Sequence, residues 1–194
     1  MSSSVSRDLS GAGNPDFGPA GEIRQVFTSQ WAAVLEIVAE TERAARVDIL
    51  ALRGSEIIAL ADSLARAAAA RPGPGPVQVR VLLLDPDSAA AASRAAELGE
   101  DAGSFAAEIR LVVAQLQALA DQTAGLQLVV YYYATIPVWR MIVIDGVQYV
   151  STLCVGWDGN DSIVYKLAEW PGGALYPGFR QVFDCHLDGA SRVI

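Results

Sequence analysis

The dipeptide Asp145-Gly146 lies between two runs of apolar and β-branched residues, and no other stretch restricts the fold so strongly. Asp-Gly suits the two positive-φ positions of a type I′ turn, whose twist matches that of paired strands. Residues 139–144 and 147–154 are therefore predicted to form a hairpin. Arg140 falls inside its first strand and Asp145 at the exit of that strand.

The rest of the chain reads as support for this hairpin. Residues 1–20 are rich in Ser, Gly and Pro and are expected to form a mobile tail, leaving residues 21–194 as one domain. From residue 22 to 38, Ile23, Val26, Phe27, Val34, Leu35 and Val38 recur at helical spacing, with Trp31 one step late, and predict a helix packed on a sheet. A dimer or partner helix is the alternative. Residues 47–52 read as a strand, Arg53-Gly54-Ser55 as a tight turn, and 56–70 as a helix capped by Ser55. Such a turn brings Arg53 to the sheet edge where α/β proteins hold ligands. A solvated or structural arginine is the other reading.

After a Pro-Gly loop at 71–76, Val77–Leu84 alternates and then runs apolar, as a buried parallel strand does. It ends at Asp85. Asp87 or Ser88 is expected to cap helix Ala89–Leu98, with Gly99 as its stop. A second helix then carries Phe105, Ile109, Val112, Leu116 and Leu119 on one face, and Leu126–Tyr133 forms a strand. The three tyrosines that end this strand have no basic residues among them, so they read as core and rim rather than as a base-stacking platform. Beyond the hairpin come a polar turn at 156–161, a short strand at 162–167 and a last helix at 175–187. The fold class is α/β, a mixed β-sheet flanked by helices.

The hairpin also carries a motif. Val138-x-Arg140-x4-Asp145, followed by Ser151, resembles the His-x-Lys-x4-Asp and Gly-Ser positions of the phospholipase D superfamily. It is similar to a single degenerate half of that fold, as in the phospholipase D-like domains of bacterial regulators. The resemblance implies that Arg140 keeps the cationic role of the lysine, that Asp145 and Ser151 match the aspartate and serine, and that Val138 stands where the nucleophilic histidine would be. It also implies a homodimer, since such halves pair to complete a site. Valine offers neither a nucleophile nor a general acid, so the implied chemistry is anion recognition without phosphodiester cleavage.

Composition narrows the functional classes further. A net charge of −8 argues against a basic nucleic-acid coat, and no direct nucleic-acid contact is expected. Two cysteines in apolar surroundings suggest neither a disulfide framework nor a metal site, which points to the cytoplasm and to no cofactor. No apolar run reaches the length of about 20 residues that spans a bilayer, so no membrane partner is expected. The only lysine, Lys166, or its neighbour Tyr165 reaches the same anion as Arg140 if their strand lies beside the hairpin. Otherwise Lys166 is an edge-strand lysine that discourages aggregation.

The expected function is a non-catalytic ligand-binding or sensing domain for a phosphorylated or otherwise anionic small molecule. Its candidate residues are Arg140, Asp145, Ser151, Lys166, Tyr165 and Arg53. The alternatives are a structural dimerisation domain or an enzyme of other chemistry. For the enzyme, Asp85, Asp145, Tyr149, Cys154 or the lone histidine, His186, would act as acid, base or nucleophile.

Overall fold

The computed structural model describes residues 21–71, 73, 75–153 and 162–194. The expected tail at 1–20, the polar turn at 156–161 and Cys154 lie outside these residues. The chain runs β1 (Ile23–Phe27), α1 (Gln30–Thr41), β2 (Arg46–Leu50), α2 (Ser55–Ile58), α3 (Ala61–Ala70), β3 (Val77–Leu84), α4 (Ala89–Leu98) and α5 (Ala102–Gln122). It continues with β4 (Leu126–Tyr133), β5 (Trp139–Ile144), β6 (Val147–Thr152), β7 (Val164–Leu167), α6 (Leu175–Asp188) and β8 (Ser191–Arg192). The eight strands form one mixed sheet in the order β1-β7-β6-β5-β2-β3-β4-β8. Strands β2, β3 and β4 are parallel, and the other pairings are antiparallel.

The hairpin forms as its turn chemistry dictates. Asp145 has φ 46° and Gly146 φ 91°, the left-handed pair of a type I′ turn. Strands β5 and β6 are then in register from Ile144 opposite Val147 to Trp139 opposite Thr152. The parallel strands β3 and β4 cover the expected residues, because runs such as Val81-Leu82-Leu83-Leu84 are buried on both faces. Ser88 caps α4 by accepting from Ala91 N at 3.1 Å, and Gly99 ends it at φ 72°.

Three expectations are corrected. The helix expected from residue 22 begins only at Gln30, after the Ser29 cap, whose Oγ accepts from Ala32 N. Ile23–Phe27 instead form β1, because pairing with β7 gives their backbone partners that a lone helical turn would lack. Ser55 is the first helical residue and not the cap. Gly54 holds the cap position at φ 85°, where a Cβ would come within 2.7 Å of Leu83 Cδ2. The helix expected at 56–70 breaks at Ala59-Leu60 into α2 and α3, which lets Ile57, Leu60 and Leu64 all point into the core.

Helices cover both faces of the sheet. Glu36 of α1 binds Tyr149 of β6 and Lys166 of β7, placing α1 on the face that carries Arg140, Ile142, Tyr149 and Ser151. Val112 of α5 meets the region of Leu83 and Gly54 on that same face. Helix α6 lies on the other face, with Phe179 against Trp139 and Phe183 beneath Arg80. Among the described residues no helix is long and apolar enough to cross a membrane.

Candidate functional site

Arg140 is 5% exposed, in the middle of the sheet, on a strand whose neighbours are apolar. A guanidinium can be held there only by polar partners, since an uncompensated buried charge costs several kcal/mol. Its Nε donates to Ser151 Oγ at 3.4 Å, directly across the hairpin. Ser151 in turn accepts from Gln30 Nε2 of α1 at 3.1 Å. On its other side Arg140 Nη1 lies 3.7 Å from Glu56 Oε1, at the start of α2. That distance is well beyond the roughly 2.7–2.9 Å of a short charge-assisted hydrogen bond.

The turn after β2 brings a second arginine to the same place. Tyr133 donates its hydroxyl to Ala51 O at 2.7 Å, which ties the segment that follows β2 to the end of β4 across β3. The chain then turns at Gly54, and Arg53 forks to Glu100 at 2.8 and 2.9 Å and to Glu108 at 2.6 Å, with its guanidinium over the Phe105 ring. Burial alone would lower the Arg53 pKa, but these carboxylates outweigh it and hold the group charged. Arg53, Glu56, Glu108 and Arg140, with Ser55, Leu52, Leu98 and Leu153, line a cavity of about 200 Å³ at the C-terminal end of β2. This is the edge of a parallel sheet where α/β folds place their ligands.

The other sequence candidates are placed elsewhere. Asp145 sits in the hairpin turn, at the opposite end of β5 from Arg140. Its carboxylate accepts from Ala45 N at 3.0 Å and Arg46 N at 2.8 Å, and so ties the turn to the start of β2. Lys166 is close in the sheet but turns to Glu36 and lies over the Tyr149 ring. Tyr165 alternates with Lys166 and projects from the opposite face. Asp85 accepts from Asp87 N at 2.9 Å in the turn that follows β3, and it is not among the residues lining the Arg140 cavity.

His186 lies on α6, bonded through Nδ1 to Val182 O and packed edge-on against Tyr133. Burial, and then the hydrogen bond to Glu36, push the Tyr149 phenol well above its usual range, so it stays protonated and gives up its proton reluctantly. Of the sequence candidates, the cavity thus joins Arg140 and Arg53, with Ser151 behind as a hydrogen-bond partner of Arg140. It adds Glu56, at the start of α2, and Glu108, on the polar face of α5, neither of which carries a sequence signal beyond its polarity. Among the described residues no group of three metal-ligating side chains occurs.

No family model matches the chain, and no curated protein matches it. Among solved structures it is similar to TrmBL2, an archaeal chromatin protein whose structure shows a novel mode of DNA binding. The TM-score is 0.52 at 11% identity, over 87% of this chain. This chain spans about half of TrmBL2, 54% of its length. At that identity the likeness shows the fold alone. It nevertheless corrects the expectation, drawn from net charge, that nucleic acid is excluded as a partner. A fold of this kind occurs in a DNA-binding protein, and charge summed over a chain does not report where its cations cluster.

Proposed function

We propose that the chain is a non-catalytic binding domain that recognises a small molecule through an anionic group, with Arg140 as the anchor. One observation carries this reading. A guanidinium buried inside a strand lines a cavity at the C-terminal edge of the parallel strands, and Glu56, its carboxylate partner among the described residues, stands at ion-pair distance rather than in a tight fork. An incoming carboxylate or phosphate can take the place of Glu56, and the planar fork of arginine suits either group. Ser151 and Gln30 support the guanidinium from behind. Val138, at the position where the resemblance would need a nucleophilic histidine, carries no group that can attack phosphorus, which supports binding over phosphodiester cleavage. Cys185 is a free thiol, consistent with action in the cytoplasm.

The test is calorimetry with inorganic phosphate and a panel of phosphorylated and carboxylated metabolites. Arg140→Ala should weaken binding at least tenfold with the fold kept, and Arg140→Lys should restore part of it. The reading is lost if Arg140→Ala unfolds the protein and no anion raises the wild-type melting temperature.

The likeness to TrmBL2 favours a second reading, in which the domain also meets duplex DNA. Arg43 and Arg71 line one open groove where α1 and α3 end, and Arg66 binds Glu42 beside it. Against Glu42 in the same groove and Glu40 beside Arg43, the three arginines leave this edge one positive charge in excess on an otherwise acidic molecule. Anisotropy of a labelled duplex should then weaken steeply between about 50 and 200 mM salt, and weaken further in the Arg43→Ala, Arg71→Ala double variant. Absence of binding at low salt removes this reading.

A further inference from the structure

The Arg140 cavity has a neighbour on the α1 side. Ser55 and Glu56 also line a second space of about 250 Å³, between α1 and the break that separates α2 from α3. Its other walls are almost entirely apolar: Trp31, Val34 and Ile37 from α1, Ala59 and Leu60 from the break, and Ile142 of β5. Ile142 is two residues along the strand from Arg140 and shares its face, so the floor of the groove begins about 7 Å along the strand from the Arg140 backbone. Gln30 stands at the boundary, lining the groove and donating to the Ser151 hydroxyl that Arg140 also binds. Each space alone is smaller than a typical ligand pocket of about 300–1,000 Å³. The two adjoin, with Ser55 and Glu56 as the shared wall, and together they fall within that range.

Trp31 is 71% exposed at the groove wall. An exposed tryptophan beside an apolar floor and a charged end matches an occupant with one apolar arm and one anionic head. We propose that the ligand is a single-chain amphipathic carboxylate, its head on Arg140 and its arm in the groove between α1 and α2. This rests on the reading of Arg140 as the ligand's anchor. From Trp31 to Ile37 the helix rises about 9 Å, which limits the arm to medium length.

The experiment titrates the full chain with acetate, butyrate, hexanoate, octanoate and dodecanoate, and with inorganic phosphate and octylamine. Heat and tryptophan fluorescence are followed together. Affinity should rise two- to fourfold per added methylene up to about octanoate and then level off, fourfold being the equivalent of about 0.8 kcal/mol per buried methylene. Trp31→Ala and Val34→Asn should each weaken octanoate at least fivefold while leaving phosphate unchanged. Arg140→Ala should weaken both.

If phosphate and acetate bind as tightly as octanoate, the groove is no part of the site and this inference fails while the Arg140 anchor stands. If none of the probes binds, both fail. Octylamine equal to octanoate, or octanoate unaffected by Arg140→Ala, overturns the anionic head. A tryptophan signal that changes on dilution without any probe, and no longer does so in Trp31→Ala, shows that a second copy of the chain covers Trp31, and that also overturns the proposal.

Discussion

Glu56 Oε1 lies 3.7 Å from Arg140 Nη1, in the cavity that both residues line. The carboxylate therefore occupies the place that an anionic ligand would take, and it repels that ligand as the ligand approaches. Glu56→Gln removes the competing charge and keeps the shape of the side chain. It is expected to tighten binding of phosphate or a carboxylate by roughly three- to tenfold, a gain on the order of 1 kcal/mol, as for a partly exposed ion pair. Calorimetry checks this. A weaker complex in Glu56→Gln would mean that the bound group is a hydrogen-bond donor or a cation, and the anion reading would have to be abandoned.

Asp145 is a test of the opposite kind. Its carboxylate receives the backbone N–H groups of Ala45 and Arg46, and its φ is 46°, a conformation that Asn and Asp tolerate better than most side chains. Asp145→Ala loses both the acceptor and the tolerance, and should cost about 1–3 kcal/mol. Asp145→Asn should cost less than half of that. Neither should change anion affinity by more than about twofold, because the turn lies at the far end of β5 from Arg140. Denaturant melts and the same calorimetric titration separate the two effects. A large loss of affinity in Asp145→Asn would place the turn in the site after all.

These two residues show how far the sequence could be read. Asp145-Gly146 is a local signal, since the turn type depends on two backbone angles and on the residues that tolerate them. The hairpin, its register and the pairing of Arg140 with Ser151 follow from it. The partner of Asp145 was not legible, because Ala45 and Arg46 are a hundred residues away and offer only their backbone. The same holds for Glu56, Glu100 and Glu108, which periodicity marks as solvent-facing and which meet arginines only once α2, α4 and α5 are docked. Strand β1 was misread for a different reason. Ile23, Val26 and Phe27 fit a helical stripe as well as an edge strand, and the pairing with β7 decides between them. The two-residue β8 carries no pattern at all.

On the other face of the sheet, Asp48 is 1% exposed and receives a bidentate fork from Arg80, with both contacts at 2.7 Å. Arg46 adds a bond at 3.1 Å and Arg180 of α6 approaches to 3.7 Å. One buried carboxylate thus ties β2, β3 and α6 together. Removing its charge leaves guanidiniums facing one another. Because all three arginines are partly exposed and can rehydrate, Asp48→Asn is expected to cost about 2–3 kcal/mol, at or below the low end of the 3–5 kcal/mol typical of a broken buried pair. Urea melts measure the loss. A variant as stable as the wild type would show that the cluster fixes geometry without adding net stability.

The last expectation concerns acid. The Glu22 carboxylate accepts from the backbone N–H groups of Ala174, Leu175 and Tyr176, and so satisfies the start of α6 from the edge of β1. The bond from Tyr176 is the largest cause that lowers the Glu22 pKa below 4.5; desolvation opposes it, and the bonds from Leu175 and Ala174 reinforce it. A folded pKa below the unfolded one means that the ionised carboxylate stabilises the fold at pH values above the unfolded pKa. That contribution is lost as pH falls through the folded pKa. Glu22→Gln should therefore melt below the wild type at pH 7, and the gap should narrow from about pH 4.5 downward and close once Glu22 is protonated in both states. Gly173 supplies an independent check. A Cβ there would lie 2.1 Å from Glu22 Cδ, so Gly173→Ala must push the carboxylate away from the helix start. Adding Gly173→Ala to Glu22→Gln should then cost less than the sum of the two, as for residues that share one interaction. If the gap between wild type and Glu22→Gln is the same at pH 3 as at pH 7, the charge of Glu22 contributes nothing and only its packing against Gly173 matters.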